Sequence, residues 1–235
     1  MIFIFYGYGY DPSFLIVIPA VILMIYANFK VNLCIKKFSK IKNKKEYTGA
    51  QIARQLLMQN NIIDVEIREI NGNYNDNYDP QKKVLNLSHK VYNGNSLTSV
   101  GIAAHEVGHA IQHNKFYFPS VMRNAVFPIV NFSSKLYMPL ILLGLLFSFG
   151  SLFLLKLGII LFSTIVLFQI ITLPVELNAS KRATKLLIEN NLIEKQEIKS
   201  IKKVLNAAAL TYVASALYSI LTLLRYIAIF NDKDK

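Results

Sequence analysis

Residues 105 to 109 read His-Glu-Val-Gly-His, two histidines four positions apart with a glutamate directly after the first. On a helix, positions i and i+4 share a face, so two imidazole nitrogens can converge on one metal ion. Glu106 then lies beside the metal rather than among its ligands, where a carboxylate can act as base toward a metal-activated water. The chemistry this spacing points to is zinc-dependent hydrolysis. The competing reading is a helix that carries two histidines by chance.

A hydrolytic zinc centre needs a third protein ligand and an open fourth position. His113 lies one turn beyond His109, about 6 Å further along the axis, too far for a metal held by the first pair. His89 follows a strand on the approach to the helix and reads as structural or surface. Glu176 stands in Leu173-Pro174-Val175-Glu176-Leu177-Asn178-Ala179-Ser180, at the expected cytoplasmic end of an apolar segment. A carboxylate there is costly without a partner, and a zinc ion short of ligands would be one. A plain interfacial glutamate is the other reading. No oxyanion donor is singled out: Arg123, Arg182 and His113 are candidates, each of a type more often structural or solvated.

The elements that position these groups are largely apolar. Hydrophobic residues make up 53% of the 235, in clumps, and the mean hydropathy is +0.36, which marks an integral membrane protein. Phe14 to Phe29 carries no charge, and positive residues follow it (Lys30, Lys36, Lys37) rather than precede it, so it reads as a retained signal anchor. The aromatic start (Phe3, Phe5, Tyr6, Tyr8, Tyr10) suits an interfacial belt. From Leu136 to Val175 the chain is apolar for about two spans, with Lys156 the one charge. The spacing predicts helices over about 136–148 and 153–174, joined by a tight turn at Ser148, Gly150 and Ser151. Ala207 to Phe230 forms the fourth span, with Arg225 near enough its end to reach headgroups.

Charge orients these spans. Residues 30–135 hold fifteen Lys or Arg, residues 176–206 hold seven, and the first thirteen hold none, so both basic segments are expected to be cytoplasmic. The net charge of +12 is accounted for by that topology and by anionic headgroups, and the chain has no nucleic-acid motif. The lone Cys34 excludes an intrachain disulfide framework and a cysteine-rich metal site.

The soluble stretch of about 46–133 has its own order. Thr48-Gly49-Ala50-Gln51 is a capping-box start for a helix with Ile52, Ala53, Leu56 and Leu57 on one face, ended at Asn60-Asn61. Ile63, Val65 and Ile67 alternate with polar residues as a half-buried strand. Residues 71–77 read as a loop, Asp79-Pro80 as a turn, and 84–87 as a second strand. The histidine helix opens at Asn95 or Ser96 and runs to about Asn114. A strand edge beside such a helix can hold a peptide in extended form.

Several runs together resemble a known family: Tyr47-Thr48-Gly49-Ala50, Tyr78-Asp79-Pro80, Val84-Leu85-Asn86-Leu87-Ser88, Ala103 to His113, and Leu173-Pro174-Val175-Glu176. They are similar, in order and over nearly the whole chain, to the bacterial neutral zinc metallopeptidases of the YugP type, and distantly to the membrane HtpX and CAAX-prenyl proteases. The resemblance implies His105, His109 and Glu176 as zinc ligands and Glu106 as catalytic base. Relatives often carry aspartate where this chain has Asn178. If that residue orients a ligand histidine, an amide accepts the hydrogen bond but supplies no charge, which lowers metal affinity.

The expected fold is mostly α, an integral membrane protein with about four transmembrane helices and a small α/β zincin-like (gluzincin) catalytic region. Its parts are an anchor at 1–30, a cytoplasmic catalytic region at 31–135, a transmembrane hairpin at 136–175, a cytoplasmic segment carrying the third ligand at 176–206, and a last helix at 207–230. The expected activity is Zn2+-dependent cleavage of membrane or membrane-proximal proteins, from a multi-pass plasma-membrane enzyme with its site on the cytoplasmic side. Its partners are a protein or peptide substrate and the lipid bilayer, with no nucleic acid. The alternative is a membrane scaffold or quality-control factor with a structural zinc site; intact Glu106 counts against it, since a structural site needs no base.

Overall fold

The computed structural model describes residues 12–146 and 151–234. The N-terminal aromatic run and the expected turn at Ser148 and Gly150 lie outside the described residues. The chain is mostly helical, with a small mixed three-stranded sheet. After a 3-10 turn at Pro12–Ile16 come α1 (Ile18–Phe38), α2 (Gly49–Gln59), β1 (Glu66–Ile70), β2 (Asn77–Asp79), β3 (Val84–Ser88) and the short α3 (His89–Tyr92). They are followed by α4 (Leu97–Asn114), α5 (Phe118–Leu146), α6 (Ser151–Glu189) and α7 (Ile198–Lys233).

Among the described residues four stretches are long and apolar enough to cross a membrane: Ser13–Phe38, Phe118–Leu146, Leu152–Glu189 and Ile198–Lys233. Their boundaries run well past the apolar clumps. Helix α1 continues through Lys30 to Phe38, α5 starts at Phe118 rather than near 136, α6 extends to Glu189 and α7 begins at Ile198. Prolines explain part of this difference. Pro128 and Pro139 lie inside α5 and Pro174 inside α6. A proline removes one intrahelical hydrogen bond and bends the helix, and in a packed apolar helix it does not terminate it.

Two compact units can be distinguished. The first takes Met1–Tyr26, Asn124–Ile170 and Val213–Lys235. Within it, Gly144 and Gly158 let α5 and α6 approach closely: a Cβ on Gly144 would sit 2.6 Å from the Leu155 nitrogen, and one on Gly158 would sit 2.6 Å from an Ile141 side-chain carbon. Small residues at such crossings are the usual means of packing membrane helices. Phe162 contacts the rings of Tyr137 and Tyr226. Arg225 bonds Ser13 and lies over the Phe14 ring.

The second unit takes Ala27–Arg123 and Ile171–Tyr212. Its core is built around α4, whose Val100, Ala103, Ala104, Val107, Ala110 and Ile111 are buried against Ile52 and Leu56 of α2, Leu85 and Leu87 of β3, and Leu187 and Ile201 of α6 and α7. Helix α2 opens with the reciprocal capping box between Thr48 and Gln51, two hydrogen bonds that satisfy backbone donors otherwise left open. Strand β3 is central, parallel to β1 and antiparallel to β2. The alternation over 63–67 places β1 too early, since Ile63 is 92% exposed and the ladder begins by pairing Glu66 with Val84. Strand β2 falls where the asparagine-rich stretch reads as loop and turn; pairing with β3 overrides the weak strand propensity of Asn and Asp.

Candidate active site

Helix α4 is capped by Ser96, whose hydroxyl accepts the Ser99 amide, and its length carries His105 and His109 into the core of the second unit. Helix α6 brings Glu176 to meet them just beyond Pro174. Gly108 permits this approach: a Cβ there would lie 2.7 Å from the Ala179 carbonyl oxygen and 3.1 Å from its Cα. The two helices are therefore in backbone contact where these three side chains converge.

Glu176 Oε2 lies 3.2 Å from His105 Nε2 and 3.6 Å from His109 Nε2. Among the described residues these three form a cluster whose potential ligand atoms all lie within 4.8 Å of one another. Tetrahedral zinc with bonds of 2.0–2.1 Å holds its ligand atoms about 3.3 Å apart, and the two carboxylate-to-imidazole distances lie close to that value. All three side chains are largely buried, with 16%, 11% and 6% of their side-chain surface exposed.

The far nitrogens are occupied, which fixes which ones face the cluster. His105 Nδ1 is 3.1 Å from Ser180 Oγ, and His109 Nδ1 is 3.0 Å from Gln112 Oε1. Nδ1–H donation to these oxygens leaves both Nε2 lone pairs free for a metal. Gln112 is fully buried and donates to the Val175 carbonyl and to Asn178 Oδ1. Asn178 Oδ1 in turn accepts Arg182 Nε at 2.6 Å. Asn178 therefore acts on His109 through Gln112 and not directly, a relay of one more side chain than the sequence pattern implies. Arg123 Nη1 approaches Glu176 Oε1 at 3.4 Å.

Glu106 lies on α4 within the same cavity, buried, with its carboxyl pushed up to about 7. Burial is the main cause, opposed by the nearby His105 and reinforced by the charges of Glu176 and Asp76. The backbone amide of Tyr78, on edge strand β2, also reaches it. The cavity has a volume of about 210 Å3 and is lined by His105, Glu106, Glu176 and Tyr212 together with apolar side chains such as Ile35, Ile102 and Val204.

The other histidines are elsewhere. His113 pairs with the Tyr78 hydroxyl at 2.9 Å, and exposed His89 pairs with Glu69. Of the three oxyanion candidates, Arg123 alone touches a member of the cluster; Arg182 is bound to Asn178 and stacks over Tyr117. Sequence reasoning missed Gln112, Ser180 and Tyr212. The first two carry a recoverable signal: Gln112 is at i+3 from His109 and Ser180 at i+4 from Glu176, each one turn along the same face. Tyr212 carries none, because only the fold brings α7 to the cavity.

No solved structure matches the chain. It is 46% identical over 219 residues to the protein named "Putative membrane protease YugP" of Bacillus subtilis (strain 168), covering 93% of this chain and 96% of that one. The family model described as "Putative neutral zinc metallopeptidase" matches residues 13–231. With the family model spanning all but the ends of the chain and a zinc-compatible cluster inside it, the chain belongs to this family of neutral zinc metallopeptidases.

Proposed function

We propose that the protein is a multi-pass membrane peptidase in which His105, His109 and Glu176 hold zinc and Glu106 is the catalytic base. The observation that carries this reading is the convergence of two Nε2 atoms and one carboxylate oxygen while each Nδ1 is held by a separate partner. Zinc, when bound there, supplies Lewis acidity that polarises the scissile carbonyl and acidifies a water. Glu106 takes the proton of the attacking water and passes it to the departing amine nitrogen, so one carboxylate serves first as base and then as acid. Burial holds its carboxyl above the ordinary carboxylate range, and the charge of a zinc ion bound beside it would act in the opposite direction. Ser180 and Gln112 hold the histidine rings in the orientation the ligands need.

Strand β2 supports a peptide substrate. It is the edge of the sheet next to β3, and its Tyr78 amide reaches the catalytic glutamate, so an extended chain pairing along that edge passes close to Glu106. Long apolar helices and a partly apolar cavity favour membrane or membrane-proximal proteins as substrates. The concentration of basic residues in 30–135 and 176–206, which between them supply every proposed site residue, favours a site on the cytoplasmic side.

The test compares detergent-purified wild type with Glu106→Gln on a mixed unfolded-protein substrate, with and without chelator, alongside zinc content. The reading expects about one zinc per chain in both proteins and chelator-sensitive hydrolysis in wild type alone, the variant losing at least about 10²-fold. Zinc in both with equal hydrolysis removes Glu106 from the mechanism. Zinc in both with no hydrolysis in either favours a scaffold with a structural site.

A further inference from the structure

A second crevice, of about 510 Å3, lies in the same unit and serves no step of the chemistry above. It starts at Ser39, the residue after α1 ends, and its walls include Lys40, Lys42 and Lys90 with the amides of Asn93 and Asn95. No acidic residue lines it. Among the described residues no carboxylate pairs with any of the three lysines; Lys90 lies 6.0 Å over the Tyr74 ring, and the neighbouring Glu69 is taken by His89. The N-terminus of α4 also borders the crevice, but the Leu97 and Ser99 amides are already bonded to Ile41 and Ser96. Recognition here therefore rests on the ammonium groups.

The position says what kind of anion belongs there. The crevice opens where the chain leaves an apolar span, Ser13–Phe38, directly after the basic last turn Lys36-Lys37. Ile41 stands between Lys40 and Lys42 and is 42% exposed, and Leu33 and Phe29 on the span itself are 50% and 62% exposed. Cationic donors that directly follow a span with exposed apolar side chains match an amphiphile with a phosphate head and acyl tails. We propose that this crevice binds the phosphate of an anionic glycerophospholipid at the membrane surface. Tyr74 makes the location consequential: it lines both this crevice and the cavity of the proposed active site, so the bound headgroup lies one side chain away from that site.

The test measures binding and so does not depend on the peptidase reading. Full-length protein is reconstituted in phosphatidylcholine bilayers with and without phosphatidylglycerol, released, and examined by native mass spectrometry for retained lipid. Four proteins are compared: wild type, the triple Lys40→Gln, Lys42→Gln, Lys90→Gln, the same three sites changed to Arg, and a control Lys36→Gln, Lys37→Gln. Wild type, the Arg variant and the control should retain phosphatidylglycerol in preference to phosphatidylcholine, and the triple Gln variant should retain about tenfold less or lower still. Equal losses in the control and the triple Gln variant would reduce the effect to diffuse surface charge and overturn the site. Displacement of the lipid by millimolar inorganic phosphate would assign the crevice to a soluble phosphate instead. Unchanged lipid retention in the triple Gln variant, with selective loss of cleavage of acidic peptides, would give it to the substrate. Should the triple variant not fold, photo-crosslinking of wild type with a headgroup-labelled phosphatidylglycerol decides: adducts within 39–42 and 90–96 support the site, and adducts only elsewhere refute it.

Discussion

Gly108→Ala tests whether backbone contact between α4 and α6 builds the proposed metal site. The added Cβ would lie 2.7 Å from the Ala179 oxygen, and an ordinary contact begins near 3.4 Å, so the helices must part by about 0.7 Å or hold the strain. Backbone atoms cannot swing aside as a flexible side chain does. Metal sites accept ligand displacements of about 0.2 Å, and Glu176 is three residues from the point of collision on the same helix. Overpacking of this kind costs roughly 1–3 kcal/mol, which corresponds to roughly 5- to 150-fold in an equilibrium constant. If α6 retreats, zinc affinity falls by that factor; if it stays, thermal stability falls and affinity is kept. Zinc affinity by competition with a chromogenic chelator, and unfolding of the zinc-loaded protein in detergent, measure the two separately. Unchanged affinity together with unchanged stability would falsify the close-contact argument, because the strain would have nowhere to reside.

Further expectations follow from the surroundings of the ligands. Gln112→Leu removes the acceptor for His109 Nδ1 and both donors to α6, and should weaken zinc binding about 10- to 100-fold while leaving the helical content by circular dichroism unchanged. Asn178→Asp places a carboxylate between Gln112 and Arg182; zinc affinity should rise, and an equal or lower value in the same chelator competition would refute the relay. Chelator treatment of wild type should lower its melting temperature and added zinc should restore it, with a much smaller response in His105→Ala. Thr48→Ala, which breaks the α2 capping box, should cost about 1 kcal/mol of stability by denaturant titration and leave zinc stoichiometry unchanged.

The histidine-bearing helix α4 was the most legible part of the chain. Its start at Ser96, its end near Asn114 and the shared face of His105 and His109 follow from local rules of capping and periodicity. The capping box of α2 and the central strand β3 follow in the same way. Less legible were features decided by distant partners. Strand β2 has poor strand residues and exists because β3 pairs with it, while Ile63 looks like the start of a strand and is solvent-exposed. The long helices exceeded their apolar clumps because their polar ends are part of the second unit: residues 171–189 of α6 and 198–212 of α7 carry packing and site residues as well as membrane length. Gln112 and Ser180 were legible only as neighbours one turn along the same helix face, and Tyr212 lines the cavity solely because the fold brings α7 there.

The separation of Glu176 from the histidines has a consequence for how the protein is made. His105 and His109 leave the ribosome some seventy residues before Glu176, and α5 and most of the apolar part of α6 lie between them. On the proposed ligand set, a nascent chain that has completed α4 holds two ligands and no site. The third arrives only on a helix whose preceding twenty-odd residues are of membrane-spanning character. Synthesis proceeds from the N-terminus, so the three side chains can meet only after α1, α5 and the apolar part of α6 have been produced. On the proposed ligand set, a chain assembled in this order lacks a complete zinc site until these apolar helices have been made.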